Sequence, residues 1–333
     1  MKKFSCKWLG LAVGSVLLCY VAQAQMTFTL TDLGTLGDSY SIAYGINANG
    51  DVVGEYVNQD DSHHCFLYSK GVLATIMPSM SYCQARAINS KGQIAASAAW
   101  PGHHVHAFRY EPNGTYKELQ PGAGMNADGG GFGIDTAGNV FGYSQFPNDV
   151  AVYPAKYSSA GGVVNLGNLF GEGIAWATNG TQVVGGSSGH AFQWSKSTGM
   201  VELGPGEALT INSQGYIAGD RSASPYAAAL WYGGQVQDLG WGYQSMVWGM
   251  SDDNWMVGQY FALYTYQRPA LQTPDCKRMV DLNTLVDHSG AGWILESAQG
   301  INKNHQIVGY GYLPPNGGTR AFLLTPNQGV PCP

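Results

Sequence analysis

Charge is what this chain has least of. Asp, Glu, Lys and Arg together make up 11% of its 333 residues, against about 25% in a typical soluble domain. The formal net charge is −6, and the 16 basic residues form no run. An acidic, charge-poor surface cannot neutralise rows of phosphates, which argues against nucleic acid or an anionic membrane surface as a partner. Long apolar runs are equally scarce: past residue 24 nothing approaches the ~20 residues that span a bilayer. The one apolar run, at 8–21, follows Lys2, Lys3 and Lys7 and precedes Ala22-Gln23-Ala24. That is the layout of a cleaved signal peptide, with the cut after Ala24. Residues 1–24 are therefore expected to be removed, leaving a single domain over 25–333 that is secreted or periplasmic, with no membrane insertion. Losing the three leader lysines takes the net charge from −6 to −9.

Helical periodicity is missing too, as are the common catalytic signatures. There is no G-x-x-x-x-G-K-[ST] phosphate loop and no C-x-x-C, and the one G-x-S-x-G, at 185–189, falls between two strands of a repeat and not at the strand-to-helix turn of a nucleophile elbow. These absences remove the usual grounds for a nucleotide cofactor, Ser-based hydrolysis or a thiolate zinc site. The glycine-rich stretch 122–133 (GAGMNADGGGFG) accordingly reads as a long blade-connecting loop. Four cysteines stay after the leader: Cys65, Cys83, Cys276 and Cys332. An even number in an exported chain implies disulfides. Of the three pairings, Cys65–Cys83 with Cys276–Cys332 keeps each bond within one repeat or between neighbours.

What is abundant is glycine, at 47 residues, and one phrase said seven times. INANGDVVG (46–54) returns as INSKGQIAA (88–96), IDTAGNVFG (134–142), ATNGTQVVG (177–185), INSQGYIAG (211–219), MSDDNWMVG (250–258) and INKNHQIVG (301–309). From 46 to 301 the spacing averages 42.5 residues, the period of a propeller blade. In each copy Asn and Gly supply a tight turn, and a β-branched run follows. Gly54 ends its run where a neighbouring backbone should pack closely. A third segment, as in HCFLY (64–68), HAFRY (106–110) and HAFQW (190–194), and a fourth, as in VELG (201–204), complete four strands per repeat. The seventh repeat lacks its fourth strand, while an orphan copy, TFTLTDLGTLG, stands at 27–37. The chain should therefore fold as an all-β, seven-bladed propeller of four-stranded antiparallel blades, closed by its N-terminal strand completing the last blade.

The combination of INxxGxVVG, HAFLY-like and DLGTLG phrases resembles the extracellular HAF-repeat family, over nearly all of residues 27–325. The resemblance implies secretion and a propeller-like repeat fold; it implies no reaction. The motif His is replaced at Pro154, Ala228, Pro269 and Arg320, so a shared catalytic role for it is not expected.

Three functional readings follow. In the first, aromatics on one loop face, Tyr82, Trp100, Trp241, Tyr243, Tyr260 and Trp293, bind a glycan or an extracellular protein without catalysis by a monomer. In the second, a hydrolase or lyase of carbohydrates uses paired acids near the channel, drawn from Asp128, Asp149, Glu172, Glu207 and Asp220. In the third, His63, His103 and His104, with Asp60 and Asp61 beside them, hold a divalent metal; the alternative there is a solvated pair of loops. No other cofactor is expected.

Overall fold

The structure, a computed structural model, describes residues 26–329 apart from 38, 222–225, 264–265, 277 and 316. The expected signal peptide and Cys332 lie outside the described residues, and with Cys332 the expected Cys276–Cys332 bond. Each repeat begins at its turn phrase. Asn47 Oδ1 accepts from the backbone N–H of Asn49 (2.9 Å) and Asp51 (3.0 Å), and Gly50 adopts φ 85°. The Asn side chain thus builds the turn, and Gly supplies the left-handed backbone that other residues avoid.

Strands paired through these turns form seven four-stranded antiparallel sheets in sequence order. Blades one to six span 40–76, 82–119, 129–165, 173–205, 207–238 and 246–281. Blade seven takes three strands from 294–326 and its outermost from Phe28–Gly34, which runs antiparallel to Arg320–Pro326 with Leu30 opposite Leu324. Phe28 is fully buried there, among Leu271, Leu285 and Leu324. The ring is closed by both ends of the chain, which covers an edge that would otherwise template aggregation. The helical segments among the described residues are two single 3-10 turns, Leu282–Thr284 and His288–Gly290. No helix of the described residues is long and apolar enough to cross a membrane.

Two repeat residues lock the blades. Phe66, Phe108, Phe192 and Phe322 are fully buried on their third strands. In blades one, four and seven the ring lies over a second-strand glycine: a Cβ on Gly54 would meet Ile42 O at 1.9 Å and the Phe66 ring at 2.7 Å. The turn Asn then reaches the next blade. Its Nδ2 donates to the carbonyl of the equivalent residue there: Asn47 to Asn89 (3.3 Å), Asn89 to Asp135 (2.8 Å), Asn179 to Asn212 (3.1 Å), Asn212 to Ser251 (3.4 Å) and Asn302 to Asn47 (2.9 Å). Blades three and six place Asp135 and Ser251 at this position, and Asp135 has no amide to donate.

Cys65, on the third strand of blade one, is bonded to Cys83 on the inner strand of blade two. The 18-residue separation corresponds to a stabilisation of about 3 kcal/mol through the unfolded chain. One expectation is corrected. Only the first half of 122–133 is a connection, because Gly129–Ile134 is the inner strand of blade three. Glycine is needed there for space: a Cβ on Gly130 would sit 2.5 Å from the Tyr143 ring, and one on Gly131 would sit 2.9 Å from Ala96 O.

Candidate functional site

Every inner strand carries a β-bulge at one place, three residues before the turn Asn or its substitute. The register skips Tyr44, Arg86, Phe132, Trp176, Leu209, Trp248 and Gln299 in blades one to seven. A bulge re-aims a side chain, and here all seven line a central cavity of about 210 Å³. The next residue is small in six blades, because adjacent inner strands converge: a Cβ on Gly45 would meet Arg86 O at 2.9 Å.

The belt is fixed by hydrogen bonds. Tyr44 OH donates to Glu55 Oε1 (2.5 Å), Trp176 Nε1 to Glu207 Oε2 (3.0 Å) and Trp248 Nε1 to Gln259 Oε1 (3.1 Å). Arg86 Nη2 donates to Gln84 Oε1 (2.7 Å) and Gln299 Nε2 to Ser297 Oγ (2.7 Å). Phe132 meets Trp176 edge to face, with centroids 4.8 Å apart. Flat rings with placed polar groups suit a small polyhydroxylated ligand.

Glu207 lies two residues along its strand from Leu209, about 7 Å nearer the face where the inner strands begin. It stands directly opposite Asp220 in the register. Gly186 leaves it room, since a Cβ there would contact the Glu207 side chain at 3.0 Å. Burial, and then the charge of Glu207, pushes Asp220 up to about 7; burial raises Glu207 as well, against the opposing hydrogen bond from Trp176. Two carboxyls in one partly desolvated place cannot both ionise cheaply, so one proton stays near neutrality.

The residues expected from sequence are placed elsewhere. None of the six aromatics lines the channel. Trp241 is buried, 2% exposed, in the core between blades five and six, with Nε1 donating to Gln272. Trp100 packs beside Phe108 and Tyr116, Tyr260 against the blade-five and blade-six core, and Trp293 against the core that holds Phe28. Tyr243 is half-buried, and its carbonyl accepts from Phe261 N–H at 3.1 Å. Tyr82 meets the His63 ring with centroids 5.3 Å apart, and burial pushes its hydroxyl up to about 12.

The histidines do not converge. His63 Nδ1 bonds Glu55 at 2.8 Å, His104 Nδ1 bonds Asp128 at 3.0 Å, and His103 is exposed. Among the described residues, no group of three His, Cys, Asp or Glu is placed to hold a metal. His63 does reach the channel wall, because Glu55 also takes the Tyr44 hydroxyl. Of the acids, Glu207 and Asp220 come together; Asp149 bonds Tyr153, and Glu172 is exposed. Two motif histidines pair with outer-strand acids, His106 with Glu118 (2.6 Å) and His190 with Glu202 (2.7 Å), whereas His64 Nε2 bonds Asn58 Nδ2 (3.1 Å) and Ser62 Oγ (3.0 Å). The belt itself was missed, although its signal is regular: it is the residue three positions before each turn Asn.

No protein-family model matches this chain, and no curated protein matches it. Solved structures do. A puromycin-hydrolysing peptidase of Mycobacterium tuberculosis superposes with a TM-score of 0.57 at 12% identity, over 90% of this chain and 55% of its own. A puromycin hydrolase complexed with PGG gives 0.55 at 11%, over 86% and 52%. The likeness is one of fold. This chain spans about half the length of those two proteins.

Proposed function

We propose that the protein is a carbohydrate-active hydrolase or lyase working in its central channel, with Glu207 and Asp220 as the proton-transfer pair. The observation that supports this is a cross-strand carboxyl pair, Glu207 opposite Asp220, beside an aromatic belt; burial raises both carboxyls, which favours a shared proton. The rings of Trp176, Trp248, Phe132 and Tyr44 would stack on sugar faces. The protonated member of the pair would give its proton to the leaving glycosidic oxygen as the C–O bond breaks. In hydrolysis the oxygen of an incoming water would then bond the anomeric carbon and its proton would pass to the same carboxylate, which restores the acid.

Release of reducing ends, and of unsaturated ends, from a panel of oligosaccharides tests the proposal. Glu207→Gln and Asp220→Asn are expected to lower turnover about 10²–10⁴-fold, the range for a lost general acid. A second reading, binding without turnover of a glycan or protein, is supported by the five belt side chains held in fixed hydrogen bonds. Such preorganisation favours affinity. Binding that persists with no product from any substrate would select it. The Cys65–Cys83 bond and the basic-apolar leader support export to the periplasm or medium, and the repeat phrases support kinship with the HAF-repeat family.

A further inference from the structure

One belt residue is a cation without a counter-ion. Arg86 sits between Tyr44 and Phe132, with its guanidinium carbon 4.0 Å and 5.4 Å from the two ring centroids. Nη2 donates to Gln84, while Nε, like that of Arg221 and Arg320, is buried and has no partner. Arg109, Arg221 and Arg320 each pair with a carboxylate, at Glu111, Asp238 and Asp32. Among the described residues Arg86 makes no such pair. The nearby acid is otherwise engaged: Glu55 accepts from Tyr44, His63 and Gln84, so Gln84 stands between it and Arg86.

A guanidinium held on two rings inside a cavity has shed much of its water. Without an anion its desolvation is offset only by the two rings and the bond to Gln84. Its planar fork matches a carboxylate or sulfate in two parallel hydrogen bonds. An acidic protein has carboxylates to spare, yet at this position it supplies none.

We propose that Arg86 is an anion receptor and that the ligand of the channel is an acidic sugar, bearing a carboxylate or a sulfate. The inference rests on the channel being a carbohydrate site. The cavity of about 210 Å³ is large enough for one sugar unit. The anion lies against Arg86 in blade two, and the linkage to the next unit faces Glu207 in blade five.

Calorimetric titration tests this with three probes: oligogalacturonate, the same oligosaccharide after reduction of its carboxyls, and a sulfated galactan oligosaccharide. The wild type is expected to bind one of the anionic probes about 10–100-fold more tightly than the neutral one, the range for a charge-assisted pair; which anion wins names the group. Arg86→Met should erase the preference, bringing the favoured anionic probe to the affinity of the neutral one. Arg86→Lys, which keeps the charge without the fork, should retain part of it. Equal affinity for acidic and neutral probes would overturn the anion receptor and leave the channel reading standing. Binding of none of the three would overturn the channel reading along with it.

Discussion

Asp220 is the residue whose environment departs furthest from that of an ordinary carboxylate, and its titration has consequences beyond chemistry. Its value of about 7 in the folded chain compares with 3.8 for an unperturbed Asp. Between those values the native state holds a proton that the unfolded state has released. Stability due to this group is therefore full below the unfolded value and lost as pH rises through 7. Asp220→Asn removes the buried charge, so it is expected to raise the thermal midpoint at pH 8 and change it little at pH 4. Equal shifts at both pH values would show that the raised value is not realised. Neither this pairing nor the channel belt is legible from residue types alone. Glu207 and Asp220 were two of five scattered acids, and only the cross-strand register makes them neighbours.

At the scale of the element, the turn phrase does more than turn. Its Asn spends the carbonyl oxygen on the hairpin and the amide on the next blade, which explains why Asn rather than Asp is the commoner residue. Asn89→Asp would lose its bonds to Asp135 O (2.8 Å) and Gln93 Oε1 (2.9 Å) and would bring a carboxylate against a carbonyl. Urea denaturation is expected to show a loss of about 1–3 kcal/mol, the cost of a buried partner left unsatisfied. Blade three tolerates Asp135 because the donor and acceptor are exchanged there: Asn139 Nδ2 donates to Asp135 Oδ2 at 2.6 Å. An unchanged midpoint for Asn89→Asp would mean that the inter-blade bond adds nothing to stability.

For the whole molecule, the decisive feature is closure by the N-terminal strand. Asp287 ties it down, accepting from Thr29 Oγ1 (2.8 Å), Asn327 Nδ2 (3.0 Å) and Ser289 N–H (2.8 Å). These bonds, led by those from Ser289, hold the Asp287 carboxyl well below the usual range. The stability it supplies is present above the unfolded value and lost as pH falls through the folded one. Asp287→Asn is therefore expected to lower the thermal midpoint at pH 7 and to narrow the gap between pH 7 and pH 3. Removing Phe28–Gly34 altogether should expose the Arg320–Pro326 edge and cause aggregation. Light scattering that stays at the wild-type level would show that the ring closes without its last strand.

The sequence by itself determined the architecture. Seven copies of one phrase counted the blades. The orphan strand at 27–37 predicted how the ring closes, and the spacing of the cysteines predicted Cys65–Cys83. These features are local or periodic, and a repeat states them again every 40 residues or so. What the tertiary structure decided is which side chains share a space. Trp241 looked available for a ligand but is buried, since the connection from blade five to blade six crosses between them and its ring fills the gap. His63, His103 and His104 lie in neighbouring hairpins, yet each turns to an acid or to solvent. Tyr44, Arg86, Phe132, Trp176 and Trp248 are scattered over more than 200 residues, and the repeat position they share does not say that its side chain faces the axis. Convergence on an axis is a property of the closed ring, and it exists only once all seven blades are in place.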